Sequence, residues 1–294
     1  MSNKCKILLD EYTIIEQIGS GSFGTIYLGE HCHGKQVALK VEEKTKTPRV
    51  YNEYKIYKQL ARGNFKTGLP KIYDFIKTSD YNILVMQLLG PSLDDVFKIN
   101  NNKFSLATVF LIAIQIITLL KKLHNNNYIH RDIKPNNFLI GIGSNVNQIY
   151  IMDFGLSKPY MIDGKHIEFR NKRSLIGTAR YSSVNMHMGI EPTRRDELES
   201  VGYMLVYFIK GVLPWQGIKK QKNVTHLKSI GDKKMCVPLD TLCEGMPPCF
   251  KKYLRYCKKL KFDETPDYNY MINLFESESK NLGIKPKFDW KLKK

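Results

Sequence analysis

His130-Arg131-Asp132-Ile133-Lys134-Pro135-Asn136-Asn137-Phe138, followed sixteen positions after Asn137 by Asp153-Phe154-Gly155, is the stretch that decides the reading of this 294-residue chain. It fits H-R-D-[LI]-K-x-x-N at every defined position. The strand-like run Ile149-Tyr150-Ile151-Met152 leads into the second motif. Moving a phosphoryl group requires a side chain that orients the attacking hydroxyl and cations that neutralise the charge on the group in flight. Asp132 suits the first task. Asn137 and Asp153 offer oxygen ligands to a hard cation such as Mg²⁺, and Lys134 can reach a γ-phosphate. Each residue alone would read as a loop cap or a surface charge; the ordered set does not.

Upstream, Gly19-Ser20-Gly21-Ser22-Phe23-Gly24-Thr25-Ile26 is a G-x-G-x-x-G-x-[VI] loop. Glycines let a backbone approach a polyphosphate and offer N–H groups to it. A dinucleotide-binding version would open a helix, whereas a strand-like Thr25–Glu30 follows here. A plain hairpin turn accounts for the glycines alone equally well. Val37-Ala38-Leu39-Lys40 then reads as a strand ending in a lysine, and Glu53 lies 13 positions further on in an expected helix. A strand lysine fixed by a helix glutamate can contact the α- and β-phosphates of a nucleotide; the alternative is an ordinary surface ion pair.

The pattern along the chain predicts strands at 12–18, 25–30, 36–41, 71–76 and 82–88, and helices at 51–60, 93–100, 106–124, 198–210 and 250–260. Strands first and helices later imply an α+β protein with a small β-rich lobe and a larger helical one. The expected boundaries are a first lobe over about 1–87, a hinge over 87–90 and a second lobe over 91–290, with a basic tail at 291–294. Phe104–Leu120 carries no charge but is short for a bilayer. Ser105 as N-cap and Lys121 and Lys122 in the last turn make it a buried core helix.

Composition excludes disorder, collagen and disulfide scaffolds. The six cysteines contain no C-x-x-C, and the spacing of the last four does not suit zinc. With no signal peptide and no lipidation motif in view, reduced thiols in the cytoplasm or nucleus are expected, without a membrane anchor. Lys plus Arg is 46 against 28 for Asp plus Glu, a formal net charge of +18. That field favours an anionic partner: nucleic acid, an anionic surface or acidic protein.

Together these motifs resemble the eukaryotic protein kinases, and within them the casein kinase I family. Gly177-Thr178-Ala179-Arg180-Tyr181-Ser182-Ser183-Val184-Asn185 stands where most kinases carry A-P-E and is similar to that family's segment. So are Leu88-Leu89-Gly90-Pro91-Ser92-Leu93, the stretch Glu191–Ser200, Leu213-Pro214-Trp215-Gln216-Gly217 and the closing Phe288-Asp289-Trp290. The likeness runs from Tyr12 to Trp290 and implies a bilobal kinase domain over 12–290. It implies ATP and Mg²⁺ as cofactors, bound between lobes. The nucleotide would meet Ile18, the glycine loop, Ala38, Lys40, the gatekeeper Met86, Gln87, Leu89 and Leu139. Catalysis would fall to Asp132, Lys134, Lys40 and Glu53, with the metal on Asn137 and Asp153. Constitutive serine/threonine kinase activity, a monomeric state and acidic or phospho-primed substrates are further implications, and nucleic acid is not required.

Three departures matter. Gln87 stands where the family has Glu, at a place where backbone groups read adenine. Glu197 stands where kinases place an Asp that binds the catalytic-loop backbone, so one methylene more must fit at a buried polar contact. In the pocket expected to bind the substrate's phosphate, Arg180, Gln216 and Gly217 match, but the usual Lys falls on His226, with Lys219, Lys220, Lys222 and Lys228 nearby. An imidazole there would make primed-substrate preference depend on pH. Two other readings remain: a scaffold that has lost catalysis, which Lys40, Glu53, Asp132, Asn137 and Asp153 argue against, and a basic nucleic-acid module. The six cations and no anion from Lys251 to Lys261 encourage the latter, but stacking aromatics and a recognised binding fold are missing.

Overall fold

The computed structural model describes residues 7–9, 11–21, 24–45, 48–63, 65–218 and 225–290. Ser22, Phe23, Lys219, Lys220, Lys222 and the tail at 291–294 lie outside the described residues. The chain forms two compact units. One comprises Met1–Gly90 with Ile140–Gly155, the other Pro91–Leu139 with Leu156–Lys294. The first unit therefore takes in the Asp153-Phe154-Gly155 motif as well as Lys40.

The first unit is a six-stranded antiparallel sheet in the order β1-β2-β3-β4-β6-β5. Its strands are β1 (Ile7–Leu9), β2 (Tyr12–Gly21), β3 (Gly24–His31), β4 (Gln36–Glu43), β5 (Ile72–Lys77) and β6 (Tyr81–Gln87). Helix α1 (Arg49–Arg62) enters between β4 and β5. Side chains alternate across a strand, and β4 uses both faces. Val37 and Leu39 join Tyr12, Ile76, Ile83 and Val85 in one core. Ala38, Lys40 and Glu42 point the other way and are also buried. Pro48, before α1, provides no capping side chain; Glu42 supplies the cap instead, accepting from the Arg49 and Val50 N–H groups at 3.0 and 3.2 Å. A carboxylate there satisfies orphan donors and favours the helix dipole, so β4 fixes where α1 starts.

The second unit is mostly helical: α2 (Leu93–Ile99), α3 (Leu106–Asn125), α4 (Val184–His187), α5 (Arg194–Lys210), α6 (His226–Cys236), α7 (Leu239–Leu242), α8 (Pro248–Lys259) and α9 (Tyr268–Asn281). Helix α3 is long and apolar enough by composition to cross a membrane. It is instead a core helix, packed against α5 and α9, with Ile112, Ala113, Ile116, Ile117 and Leu120 inaccessible. Ser105 caps it as expected, accepting from the Thr108 N–H, and Asp289 holds Ser105 in turn through N–H and hydroxyl bonds of 2.6 and 2.7 Å. The closing Phe-Asp-Trp run is thus the clamp on the start of the core helix.

Helix α9 is absent from the sequence-based expectation. Its buried residues Tyr268, Met271 and Phe275 do recur at helical spacing, but among asparagines, serines and glutamates that mask the stripe. The basic run resolves into α8, which buries Cys249, Phe250, Tyr253, Leu254 and Cys257 and turns its cations outward. Lys251 pairs with Asp240, and Lys258 lies 3.5 Å from Glu199.

Candidate active site

Each unit carries one set of the chemistry-bearing residues. In the first, Lys40 Nζ donates to Glu53 Oε2 at 2.6 Å and to Asp153 Oδ1 at 2.8 Å. Glu53 is all but inaccessible, and its Oε1 accepts from the Phe154 N–H at 3.3 Å. Asp153 has a left-handed backbone, φ 64°, and its N–H donates to the Tyr57 hydroxyl at 3.3 Å. Phe154 is fully buried and meets the Tyr57 ring edge-on at 4.9 Å. Helix α1 therefore fixes both ends of the motif, through Glu53 and through Tyr57, one turn apart. Burial alone would lower the Lys40 pKa, but the two carboxylates outweigh it and hold the group above the ordinary lysine range. Burial pushes Glu53 up against the pull of Lys40. Two carboxylates around one ammonium leave a net negative charge, which a further cation would neutralise.

The glycine loop is a hairpin in which Gly19 faces Ile26, Ser20 faces Thr25 and Gly21 faces Gly24. Only Gly24 is demanded by the fold: at φ 143° an added Cβ would lie 2.4 Å from the Val41 carbonyl oxygen. Among the described residues, a Cβ on Gly19 or Gly21 would meet nothing closer than 3.6 Å, so packing against these residues does not require glycine at either position. Lys40 faces Ile26 on β3 and Leu84 on β6, and Ala38 faces Met86, so these side chains share one face of the sheet. Ile18 is exposed beside them. Gln87 spends its N–H on the Lys71 carbonyl and its side-chain oxygen on the Lys71 N–H. Among the described residues neither the Leu88 nor the Leu89 N–H donates a hydrogen bond, so both are available backbone donors at this end of β6. Leu139 belongs to the second unit, bridged to Ser92.

In the second unit Asp132 is 6% exposed and ringed by donors. Lys134 Nζ reaches its Oδ2 at 2.5 Å and Thr178 Oγ1 its Oδ1 at 2.8 Å, while Asn137 Nδ2 donates to the Asp132 carbonyl at 2.7 Å. With its amide nitrogen so committed, Asn137 presents its oxygen elsewhere, the orientation a metal ligand requires. The oxygen-only donors of Asn137 and Asp153 are of the type Mg²⁺ prefers. Gly177 closes the ring at φ 82°, where a Cβ would lie 2.4 Å from the Arg131 carbonyl oxygen. Thr178, known from sequence only as a hydroxyl in a loop, is a direct partner of Asp132.

The departure at position 197 is accommodated. Glu197 Oε1 accepts from the Arg131 N–H at 2.6 Å, and its Oε2 lies 2.7 Å from His124 Nε2, whose other nitrogen meets the Tyr268 hydroxyl. The longer side chain is anchored from behind by α3 and α9. Asp196 next to it binds Ser183 and Asn185 at 2.6 and 3.1 Å. These bonds hold the Ser and the Asn of this segment to the start of α5.

Of the residues matched to the phosphate pocket, Arg180 is exposed, with its guanidinium over the Tyr181 and Tyr207 rings. Its carbonyl accepts from Trp215 Nε1 at 2.7 Å, which joins it to the Gln216-Gly217 turn. His226 is exposed at the start of α6. Sequence reasoning missed Lys234. Buried on α6, it donates to the Ala179 and Ser182 carbonyls at 2.8 and 2.5 Å between the Tyr203 and Trp215 rings. Burial, with Lys258 adding to it against Glu199, brings its pKa down to about 7. Only the tertiary fold shows that this lysine, one of a solvated-looking Lys233-Lys234 pair, faces inward.

The comparison with known families gives a match to the protein kinase domain over residues 12–260. The triad of Lys40, Glu53 and Asp153, the ring of donors around Asp132 and the extent of that match lead to one conclusion: this chain belongs to the protein kinase domain family, whose members in general use ATP with a divalent metal.

Proposed function

We propose that the enzyme transfers the γ-phosphoryl group of ATP to serine and threonine hydroxyls of acidic or phospho-primed proteins, as a casein kinase I-like kinase active without prior phosphorylation. The observation that carries this reading is Asp132, a carboxylate held by Lys134 and Thr178 with both oxygens aimed by the fold. It would accept a hydrogen bond from the substrate hydroxyl and orient it for attack. Lys134, two residues on, would steady the γ-phosphate, and Lys40 the α- and β-phosphates. Asn137 and Asp153 would hold Mg²⁺, which supplies charge neutralisation when bound.

Activity without a phosphorylated activation segment is supported by Glu191. It lies 2.6 Å from Lys158 and 3.0 Å from Arg173. Burial would raise its pKa, but Lys158, Arg173 and Arg131 together hold it below the usual range. The chain's own carboxylate thus neutralises the cations that an added phosphate would otherwise recruit. The same geometry corrects the charge argument. Of the eight cations from Lys158 to Arg195, Lys158 and Arg173 are paired with Glu191, and Arg194 is buried against Tyr160, Asp263 and Thr265. Arg195 is half-buried and donates to the Leu260 carbonyl, whereas Lys165, Arg170, Lys172 and Arg180 are exposed, as is the paired Arg173; Arg180 is the residue on which phosphate recognition would centre. A monomeric enzyme in the cytoplasm or nucleus, acting on protein and requiring neither nucleic acid nor a membrane anchor, completes the proposal.

Labelled phosphate transfer tests it. Wild type is expected to phosphorylate casein and to favour a phospho-primed serine peptide over its unprimed twin. Asp153→Ala should show no transfer. Equal inactivity of wild type and variant would leave a scaffold. Equal rates on both peptides would remove the primed-substrate reading while sparing the kinase.

Lys234 provides a second test. By holding the Ala179 and Ser182 carbonyls it fixes the backbone that carries Arg180. Lys234→Met should raise KM for the primed peptide several-fold and leave KM for ATP unchanged. An equal rise in both constants would instead indicate a general loss of structure.

A further inference from the structure

We infer that the turn between β3 and β4 is a site for a borderline-soft divalent cation, Zn²⁺ foremost, built from His31, Cys32 and His33 and oriented by Glu11. Their donor atoms, one from each of the three turn residues, lie within 4.8 Å of one another. The Cys32 Sγ is 3.8 Å from His31 Nδ1 and 4.0 Å from Nε2, so the thiol lies alongside the imidazole. Tetrahedral zinc with sulfur and imidazole ligands places donors about 3.3–3.6 Å apart. A turn of the His31 ring would bring Nδ1 and the thiol onto one cation, and the exposed His33 side chain has under 2 Å to close.

The turn is prepared for this in three ways. Its backbone is fixed by the bonds His31 N–H to Lys35 carbonyl, Cys32 N–H to Glu11 carbonyl and Gly34 N–H to His31 carbonyl, at 2.9, 2.8 and 2.7 Å. The His31 ring stands edge-on to Tyr12 at 5.1 Å, which limits its swing. Most informative, His31 Nε2 lies 3.1 Å from Glu11 Oε2. An ionised carboxylate only accepts, so Nε2 carries the proton and Nδ1, the nitrogen beside the thiol, keeps its lone pair. A carboxylate behind the far nitrogen of a ligating histidine is the arrangement that fixes the tautomer and strengthens the ligand. The cation would displace one long bond, the His33 N–H to His31 Nδ1 contact at 3.3 Å. Binding deprotonates Cys32, whose proton passes to water, and leaves a fourth position for water or an external ligand. Nothing in phosphoryl transfer uses these residues, which lie at the end of the sheet hairpin opposite the glycine loop. Cysteine-to-cysteine spacing passes over them because only one donor is a thiol.

The site is tested on the full chain, stripped with a chelator and titrated with Co²⁺ and then Zn²⁺. Wild type should take up Co²⁺ with a thiolate-to-cobalt charge-transfer band and tetrahedral d–d bands, both erased by one equivalent of Zn²⁺. Asp153 and Asn137 contain no sulfur, so metal bound there gives no such band. Cysteines 243 and 249 are buried, with thiols pushed up to about 11 and about 12, and compete poorly. Cys32→Ser should abolish the band while peptide phosphorylation with Mg²⁺ stays unchanged. Glu11→Gln should keep the band but weaken affinity by about 10–100-fold, the usual loss for a supporting carboxylate. Zn²⁺ should also raise the Tm of wild type and not that of Cys32→Ser. A band that survives in Cys32→Ser, octahedral spectra only, or equal Zn²⁺ affinity in wild type, Cys32→Ser and His33→Ala would each overturn the assignment.

Discussion

Asp132→Asn is expected to lower kcat by about 10³-fold or more, near the upper range for loss of a group that handles the transferred proton, with KM for ATP little changed. The substitution keeps the side chain's size, so packing around a 6%-exposed residue survives. What changes is the hydrogen-bond inventory. The carboxylate accepts from Lys134 and Thr178 on separate oxygens. An amide retains one acceptor and turns two N–H donors toward a site already lined with donors. The substrate hydroxyl would then meet no acceptor of sufficient basicity. The expected loss therefore falls on kcat and not on substrate binding, the signature of an interaction made in the transition state. Thermal unfolding provides the control: a Tm within a few degrees of wild type shows that the loop still stands. A variant that retains even a tenth of wild-type kcat would remove Asp132 from the chemistry and require another group to orient the substrate hydroxyl.

What the sequence revealed, and what it concealed, follows from the range of the interactions. The glycine loop, Val37–Lys40 and His130–Asn137 are short segments whose spacing is itself the signal. The run Val37–Lys40 reads as a strand ending in a lysine, and the structure has Lys40 in β4. The pairing of Lys40 with Glu53 was legible because a strand lysine and a helix glutamate 13 residues apart form part of an ordered set. Other parts depend on contacts that no local pattern encodes. Glu42 caps α1 from a neighbouring strand, so the helix begins at Arg49, earlier than hydrophobic periodicity suggested. Asp289 caps α3 from 184 residues away. Thr178 reads as an activation-segment hydroxyl until the fold folds it onto Asp132, and Lys234 as a surface charge until α6 packs. Arg194 is likewise buried by contacts with Tyr160, Asp263 and Thr265 that no local pattern encodes. Position 197 shows the converse: the sequence flagged the longer acid as a strain, but the room for its extra methylene is set by His124 and Tyr268, on two other helices.

The largest effect on stability is expected at Lys40. Replacing it with Met removes the ammonium that Glu53 and Asp153 share and leaves two carboxylates facing each other in a buried site. Breaking a buried ion pair in this way costs about 3–5 kcal/mol, because the inaccessible Glu53 carboxylate is left without a counter-charge. The cost must depend on pH, and its sign follows from Glu53. Burial raises the pKa of that group in the folded state even with Lys40 present, and loss of Lys40 removes the opposing pull. The folded variant then binds a proton that the unfolded chain releases, so its stability falls as pH rises through the raised value. The deficit relative to wild type should therefore be smaller at acidic than at alkaline pH. Adding Glu53→Gln in the same chain removes one of the two stranded charges at nearly constant volume. It should recover much of the Tm at alkaline pH while kinase activity stays absent, since the contact to the α- and β-phosphates is gone in both variants. Activity and stability would thereby separate within one triad. A deficit equal at acidic and alkaline pH, or a double variant no more stable than Lys40→Met alone, would mean that Lys40 contributes by packing its aliphatic stem and that its charge is not what holds the Asp153-Phe154-Gly155 motif to helix α1.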